Sequence, residues 1–246
     1  MLEVKVSLKR IVIFVVIPIL LIFLVRLGMW QLHRAEQGAS IYEQFDRETQ
    51  LPALDSSSLN GHLDDVRFRW IELQGKYLSS RQFLLDSMTY EGQAGYHVLT
   101  PFAVNDGVSW VLVNRGWVLA DPDRRVLPEV SVSEIPRVIR GMAESLPQPG
   151  LSLSTPMNLM PWPQVVLFPS FEELEIRFEQ SLIPYQLLLD SNLPDGFSRE
   201  WKPRALPPER HIGYAIQWFS FAGVLAFMVI ALWARSRTRL NDEIGR

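Results

Sequence analysis

The sequence predicts a membrane protein in which two transmembrane helices, N- and C-terminal, flank a mainly antiparallel β exported domain with minor helix. Two observations support this fold class. Apolar residues dominate 11–25 and 212–234, near opposite ends of the 246-residue chain. The segment between them is too polar to enter lipid and contains several strand-like runs. We therefore expect the two spans to hold one large domain on one side of the membrane.

These features divide the chain into five predicted parts. The membrane segments are a first helix over 11–30 and a second over 211–234. At about 1.5 Å per residue, residues 212–234 reach about 35 Å, enough to cross a hydrocarbon core of about 30 Å. Arg26 interrupts the first span, but an arginine near the end of a span can extend its charge to the interface. The remaining parts are a cytoplasmic N-terminus (1–10), an exported β-rich domain (31–210) and a cytoplasmic C-terminus (235–246).

Basic residues flank both spans on the sides away from the central domain: Lys5, Lys9, Arg10, Arg235, Arg237 and Arg239. Such residues stay on the cytoplasmic side, so both termini are predicted to be cytoplasmic and the central domain periplasmic. A cleaved signal peptide is the alternative for the N-terminus. No small-residue cleavage site follows promptly, which favours an uncleaved anchor. The short N-terminus lacks an extended arginine- and serine-rich transit segment, which favours a bacterial inner membrane.

Composition excludes several classes of function. Residues 31–210 contain 16 lysines and arginines against 24 aspartates and glutamates, a net charge of −8. This charge argues against a nucleic-acid partner, which would need a basic surface. The chain has no cysteine, which excludes disulfides, thiolate metal sites and covalently attached c-type haem.

Strand signals dominate the central segment. Residues 30–49 are charged and helix-compatible, and we expect them to continue the first span as an interfacial helix or stalk. Residues 69–77 alternate strictly, which places Ile71, Leu73 and Tyr77 on one face of a half-buried strand. Further strands are predicted at 82–86, 96–104, 109–118, 137–143 and 185–190.

Local signals mark turns, one helix and two irregular zones. Asn105, Asp106 and Gly107 separate two strand-like runs and predict a hairpin. A helix is predicted over 171–180, since Ser170 and Glu173 have the spacing of a capping box. Proline-rich stretches at 147–163 and 194–208 exclude regular structure, and the second forms a stiff linker to the second span.

No catalytic residue stands out in the central domain, and we expect no enzymatic activity. His33, His62 and His97 are too widely separated for a zinc motif. Neighbouring carboxylates are typical of turns and helix starts. Met157 and Met160 have two interpretations, as copper(I) ligands or as side chains that fill gaps in the packing.

Polar side chains gather at the exported end of the second span. They are His211, Tyr214, Gln217 and Ser220. Helical spacing puts His211, Tyr214, Ala215, Trp218 and Ala222 along one stripe, with Gln217 alongside. On the residues alone, His211 has two interpretations, an interfacial side chain or an axial ligand of haem iron. Ala222 and Ala226 form a small-residue seam that another helix can approach.

Four segments resemble the signatures of the Surfeit locus protein 1 family. They are Gly-Met-Trp-Gln-Leu-His-Arg (28–34), Gly-Gln-Ala-Gly-Tyr-His-Val-Leu-Thr-Pro (92–101), Val-Leu-Val-Asn-Arg-Gly-Trp-Val (111–118) and His-Ile-Gly-Tyr-Ala-Ile-Gln-Trp-Phe (211–219). They occur in the family's order, and the resemblance covers nearly the whole chain, including both spans.

The resemblance implies an assembly factor for haem-copper cytochrome c oxidase that binds haem a transiently and aids its insertion into the large subunit. It implies His211 as the ligand of the haem iron, with Tyr214, Gln217 and Trp218 lining the site. The alternative is a scaffold that stabilises an oxidase intermediate without binding haem. The implied partners are the oxidase large subunit, the proteins of haem a biosynthesis or assembly, and the lipid bilayer.

Other residues match the family's motifs without an implied role in haem binding. They are Trp30, Gln31 and Arg34 after the first span, and Arg115, Gly116 and Trp117 in the central domain. Gly116 is expected where a Cβ atom is excluded, and Arg115 and Trp117 are expected to form a stacked structural pair. Glu36, Gln37 and Gly38 depart from the family's pattern, in which a lysine often follows Arg34.

Overall fold

The computed structural model describes residues 15–104, 107, 109–148 and 161–244. The chain forms two compact units. Residues up to 43 and from 203 onward make one unit, and residues 44–202 make the other. The first unit contains most of two long helices, and the second contains a seven-stranded sheet.

Both long helices have the length and composition to cross a membrane. Helix α1 spans Ile17–Thr49 and the C-terminal helix, α4, spans Pro208–Ile244. In the most apolar window of each, 11% of the residues are buried within the protein. A core helix of a water-soluble protein would bury most of such a window, so these apolar surfaces suit contact with lipid.

The helix bounds agree with the sequence pattern and extend it. Helix α1 runs without interruption to Thr49, so the prediction that residues 30–49 continue the first span as a helix is confirmed. Helix α4 begins at Pro208, three residues before the predicted span. Proline suits the first position of a helix, because its missing N–H would have no partner there.

Strands and short helices make up the second unit. A 3₁₀ turn (Ser56–Asn60) and a single helical turn, α2 (Leu63–Val66), precede the first strand. The strands are β1 (Trp70–Tyr77), β2 (Phe83–Tyr90), β3 (Gln93–Val104), β4 (Ser109–Leu119), β5 (Arg137–Glu144), β6 (Gln164–Val166) and β7 (Leu182–Leu189), with helix α3 (Phe171–Phe178) before β7.

Five of these strands close into a ring. Strand β1 pairs with β5, β5 with β7, β7 with β4, β4 with β3, and β3 again with β1. Strand β3 can serve three neighbours because it is long. It pairs with β4 along its length, with β2 from Gln93 to Leu99, and with β1 at its last three residues. Strands β2 and β6 extend the sheet beyond β3.

The largest core cluster is built from strands of this ring. The alternation predicted for β1 is confirmed, since Ile71, Leu73 and Tyr77 are fully buried and Glu72 and Gln74 are exposed. Equivalent positions of the other ring strands pack with them: Phe102, Val104, Val111, Val113, Ile139, Tyr185 and Leu187. Each buried side chain of this size contributes about 1.5–3 kcal/mol.

A second cluster lies under helix α3. Leu174 and Phe178 of the helix are buried against Phe83, Leu85 and Leu112 of the sheet. The predicted capping box is present, with the Ser170 hydroxyl and the Glu173 carboxylate each accepting a hydrogen bond from the other's backbone N–H. The helix ends at Phe178, two residues before the predicted end, because Glu179 adopts a left-handed conformation.

The mainly antiparallel sheet with minor helix is confirmed, and all six predicted strands are present. Most of them are longer than predicted, by up to three residues in β2 and β3. Two parallel pairs, β4 with β7 and β2 with β6, were not predicted. Strand β6 was missed because three residues carry too little pattern to detect. Of the predicted hairpin turn, Asn105 and Asp106 lie outside the described residues.

Candidate functional site

Helices α1 and α4 pack together along a seam of small residues. A Cβ atom on Gly28 would lie 2.6 Å from the ring of Phe219, and one on Gly38 would lie 3.2 Å from the backbone oxygen of Leu206. The residue numbers of the contacts decrease along α4 as they increase along α1: Gly28 meets Phe219, Gln31 meets His211 and Gly38 meets Pro208. The helices are therefore antiparallel. Four positions of α1 are buried, at spacings of four, seven and three residues that suit a coiled coil: Leu24, Gly28, Ala35 and Gly38.

One polar pair interrupts this apolar seam. The Nδ1 atom of His211 lies 2.8 Å from Oε1 of Gln31, and the contact is partly buried. Gln31 lies three residues after Gly28 in α1, and His211 lies four residues before the buried Ala215 in α4. Both side chains therefore continue the spacing of the seam. The close approach of the helix backbones brings them within hydrogen-bond distance.

The hydrogen bond determines which nitrogen of His211 is available. An amide oxygen only accepts hydrogen bonds, so with Oε1 of Gln31 facing the ring this contact is a hydrogen bond in the tautomer of His211 that is protonated on Nδ1. The lone pair of the neutral ring is then on Nε2. A neutral imidazole with one nitrogen held by an acceptor and the other unprotonated is the form that binds metal ions.

The predicted companions of His211 lie at different positions around α4. Ala215 and Ala222 are buried, and Trp218 is half-buried with its ring edge-on to Phe221 at 6.0 Å. Tyr214 is 52% exposed, on the flank of the helix. Gln217 is exposed and lies farther round the helix, away from the seam. The members of the predicted stripe therefore differ in burial, with the alanines in the seam and Tyr214 and Gln217 exposed.

The motif after the first span places a cation over an aromatic ring of the same helix. The Arg34 guanidinium carbon lies 5.7 Å from the centre of the Trp30 ring, and Trp30 is 51% exposed. At about 100° per residue, Trp30 and Arg34 lie on one flank of α1. Because the helices are antiparallel, this flank and the Tyr214 flank of α4 lie on the same side of the pair. Gln31 and His211 lie at the edge of that side.

The Arg-Gly-Trp motif lies in β4, in the other unit. Arg115 is 2% exposed. Its guanidinium donates hydrogen bonds to the backbone oxygens of Asp195 (2.6 Å) and Val130 (2.7 Å) and to the side chain of Gln82 (2.9 Å). These acceptors belong to two long loops and to the start of β2. Arg115 therefore fastens the loops to the sheet.

Aromatic rings and burial complete the surroundings of Arg115. Its guanidinium carbon lies 5.7 Å from the ring of Tyr77 and 5.1 Å from that of Phe197. Burial lowers the pKa of Arg115 below its ordinary value and raises the pKa of Tyr77 to about 12. The expected stacking of Arg115 with Trp117 is wrong, because each side chain has its own partners. Trp117 donates from its indole N–H to the Met88 carbonyl.

Gly116 has the conformation and the contacts that only glycine tolerates. Its φ is +107°, and a Cβ atom would lie 2.5 Å from Cγ of Arg199 and 2.7 Å from the Ser198 carbonyl oxygen. The next residue, Trp117, forms an isolated antiparallel bridge to Ser198. The expected exclusion of a Cβ atom is confirmed.

Two functional features escaped the sequence reasoning. The contact between Gln31 and His211 joins residues 180 positions apart, and no local pattern links them. The second is a polar cluster beside the motif, in which the buried Asn114 donates to Gln186 (3.1 Å) and accepts from the Gly116 N–H (3.1 Å). The sequence feature that could have revealed this cluster is Asn114 itself, a polar residue within the apolar strand segment 111–118.

The other sequence candidates that the structure describes are not grouped for chemistry. Over the described parts of the chain, no three histidine, aspartate or glutamate side chains are grouped to hold a metal ion. His33 is exposed in α1, and His97 contacts Asn114 in the sheet (3.1 Å). Met157 and Met160 lie outside the described residues.

Comparison with known proteins settles the relationship of the chain. The model of the SURF1 family matches residues 19–223, which include nearly all of α1, the whole sheet and the first part of α4. The chain belongs to the SURF1 family. The resemblance predicted from four short segments is thereby confirmed.

Individual SURF1 relatives are distant. A SURF1-like protein of Dictyostelium discoideum is 28% identical over 44% of this chain and 43% of its own length. An uncharacterised SURF1-like protein of Mycobacterium tuberculosis is 29% identical over 80% of this chain and 70% of its own. The cytochrome oxidase assembly protein SHY1 of Saccharomyces cerevisiae is 27% identical over 44% of this chain and 29% of its own. The matches to the first and third therefore span less than half of those proteins.

The geometry of the Arg-Gly-Trp motif predicts that substitution of Gly116 destabilises the protein more than substitution of Gly92. Gly116→Ala should lower the free energy of unfolding by about 3 kcal/mol, because it combines a strained φ with steric overlap. Gly92→Ala is the matched control, since its φ is +76° but nothing lies within 4 Å of the added Cβ atom. It should cost about 1 kcal/mol. Urea unfolding of both variants, followed by tryptophan fluorescence, measures the difference, and equal losses would contradict this view of Gly116.

Proposed function

We propose that this chain is an assembly factor for cytochrome c oxidase that holds haem a transiently, with His211 as a ligand of its iron, and aids its insertion into the large subunit. Membership of the SURF1 family and the similarity to a yeast protein named for oxidase assembly support the role in assembly. The Nδ1 hydrogen bond of His211, which leaves the lone pair on Nε2, supports the role in binding haem.

The residues around His211 fit a haem group. Nε2 of His211 provides the open nitrogen, while the rings of Tyr214 and Trp218 offer apolar surface near it. Arg34 and Trp30 lie on the same side of the helix pair, where the guanidinium suits the haem carboxylates. Gln217 is left out of this proposed site because it is turned away from the seam. In this proposal the haem is a cargo that the protein hands on, and it takes part in no reaction of this chain.

A histidine as the protein's ligand suits a temporary carrier. Neutral imidazole can bind haem iron, and a single bond from His211 on an open helix face would leave the group accessible to a receiving protein. Both helices also expose long apolar surfaces to lipid, where the farnesyl tail of haem a is soluble. This proposal assigns no catalysed reaction to the chain.

Replacing His211 tests the proposal. Full-length protein purified from cells that make haem a should show a Soret band, and His211→Ala should lower its intensity at least tenfold at equal protein concentration. His33→Ala is the matched control, because His33 lies in α1 with 67% of its side chain exposed, and it should keep the band. An unchanged band in His211→Ala would contradict the ligand assignment.

The same preparation tests the scaffold alternative. A scaffold would co-purify with oxidase subunits while the wild-type protein carried no Soret band. That result would reject haem binding and leave the role in assembly.

We further propose that the chain lies in a bacterial inner membrane with both termini cytoplasmic and the central domain periplasmic. The basic residues outside the two spans support this orientation. Fusions of alkaline phosphatase, which is active only after export, check it. Fusion after residue 130 should be active and fusion after residue 246 inactive, and the reverse pattern would contradict the orientation.

A further inference from the structure

We infer that Gln31 is a positioning residue for His211, which fixes the orientation and the tautomer of the imidazole so that Nε2 points outward as a ligand. This inference deepens the proposed function and rests on it. It assigns a role to the glutamine of the first helix, which the sequence motif alone leaves without one.

The geometry of the seam supports this role. The 2.8 Å contact joins the two helices at a depth where both side chains are partly buried. Gly28 on one side and Ala35 on the other keep the backbones close, so the glutamine side chain reaches the ring without a bridging group. In a weakly polar environment, a hydrogen bond of this kind resists exchange with water.

The direction of the amide determines the chemistry. Oxygen Oε1 of Gln31 faces the ring, so the ring nitrogen beside it must be the donor. If the amide nitrogen faced the ring instead, Nδ1 would hold the lone pair and Nε2 the proton. Nε2 could not then bind iron. With Oε1 toward the ring, Gln31 therefore favours the form of the histidine that leaves Nε2 free to bind iron.

A glutamine in this position also sets the donor strength of the ligand. An acceptor on the far nitrogen makes an imidazole more basic, and a charged acceptor does so more strongly than a neutral one. A purely structural glutamine would stabilise the helix pair without changing the electronic properties of a bound iron. The two roles are therefore distinguishable by measuring a reduction potential.

The test titrates haem a into purified full-length protein in detergent and records both the dissociation constant and the reduction potential. Gln31→Leu keeps the size of the side chain but removes the acceptor, and it should weaken binding about 10- to 100-fold. Gln31→Glu retains an acceptor and gives it a negative charge. It should keep wild-type affinity while lowering the reduction potential of the haem iron. The glutamate variant thus reports on the iron even if the leucine variant folds poorly.

Gln44→Leu is the matched control, because Gln44 lies in the same helix, 13 residues beyond Gln31. It should change neither quantity. Wild-type affinity in Gln31→Leu, or an unchanged potential in Gln31→Glu, would overturn the positioning role. Loss of binding in His211→Ala alone would then leave the proposed function intact. Absence of binding by the wild-type protein would overturn both.

Discussion

The hydrogen bond between Gln31 and His211 is the interaction on which the functional interpretation depends. Small residues let α1 and α4 approach closely, and the polar pair gives that approach a defined register. Hydrogen bonds between helices in membranes contribute about 0.6 kcal/mol each, so this bond adds little to stability. The hydrogen bond matters for chemistry, because it orients the ring of His211 and favours the tautomer with the lone pair on Nε2.

A different constraint organises the sheet. Arg115 is buried with its charge, which would be costly without partners. Carbonyl oxygens from two loops and the amide of Gln82 provide them, so the loops are tied to β4 by one side chain. Gly116 then lets the second loop pass close to the strand. The motif shapes one end of the sheet and has the contacts of a structural element.

The sequence predicted what local patterns encode. Alternation in β1, the capping box of α3 and the apolar helices all follow from neighbouring residues, and all were found. The ring closure of β1 with β3, the parallel pairs and the partners of Arg115 depend on residues far apart in the chain, so periodicity could not reveal them. The same reason hid the pairing of Gln31 with His211. Family resemblance indicated His211, and helical spacing alone did not show that Tyr214 and Gln217 are exposed while Ala215 is buried.

The tautomer of His211 tests the central claim most directly. The chain has four histidines, so the imidazole ¹⁵N resonances of protein labelled at histidine can be assigned by comparison with a His211→Ala sample. In the haem-free protein at a pH where the ring is neutral, we expect His211 to show a protonated Nδ1 and an unprotonated Nε2. A proton on Nε2 would contradict the account.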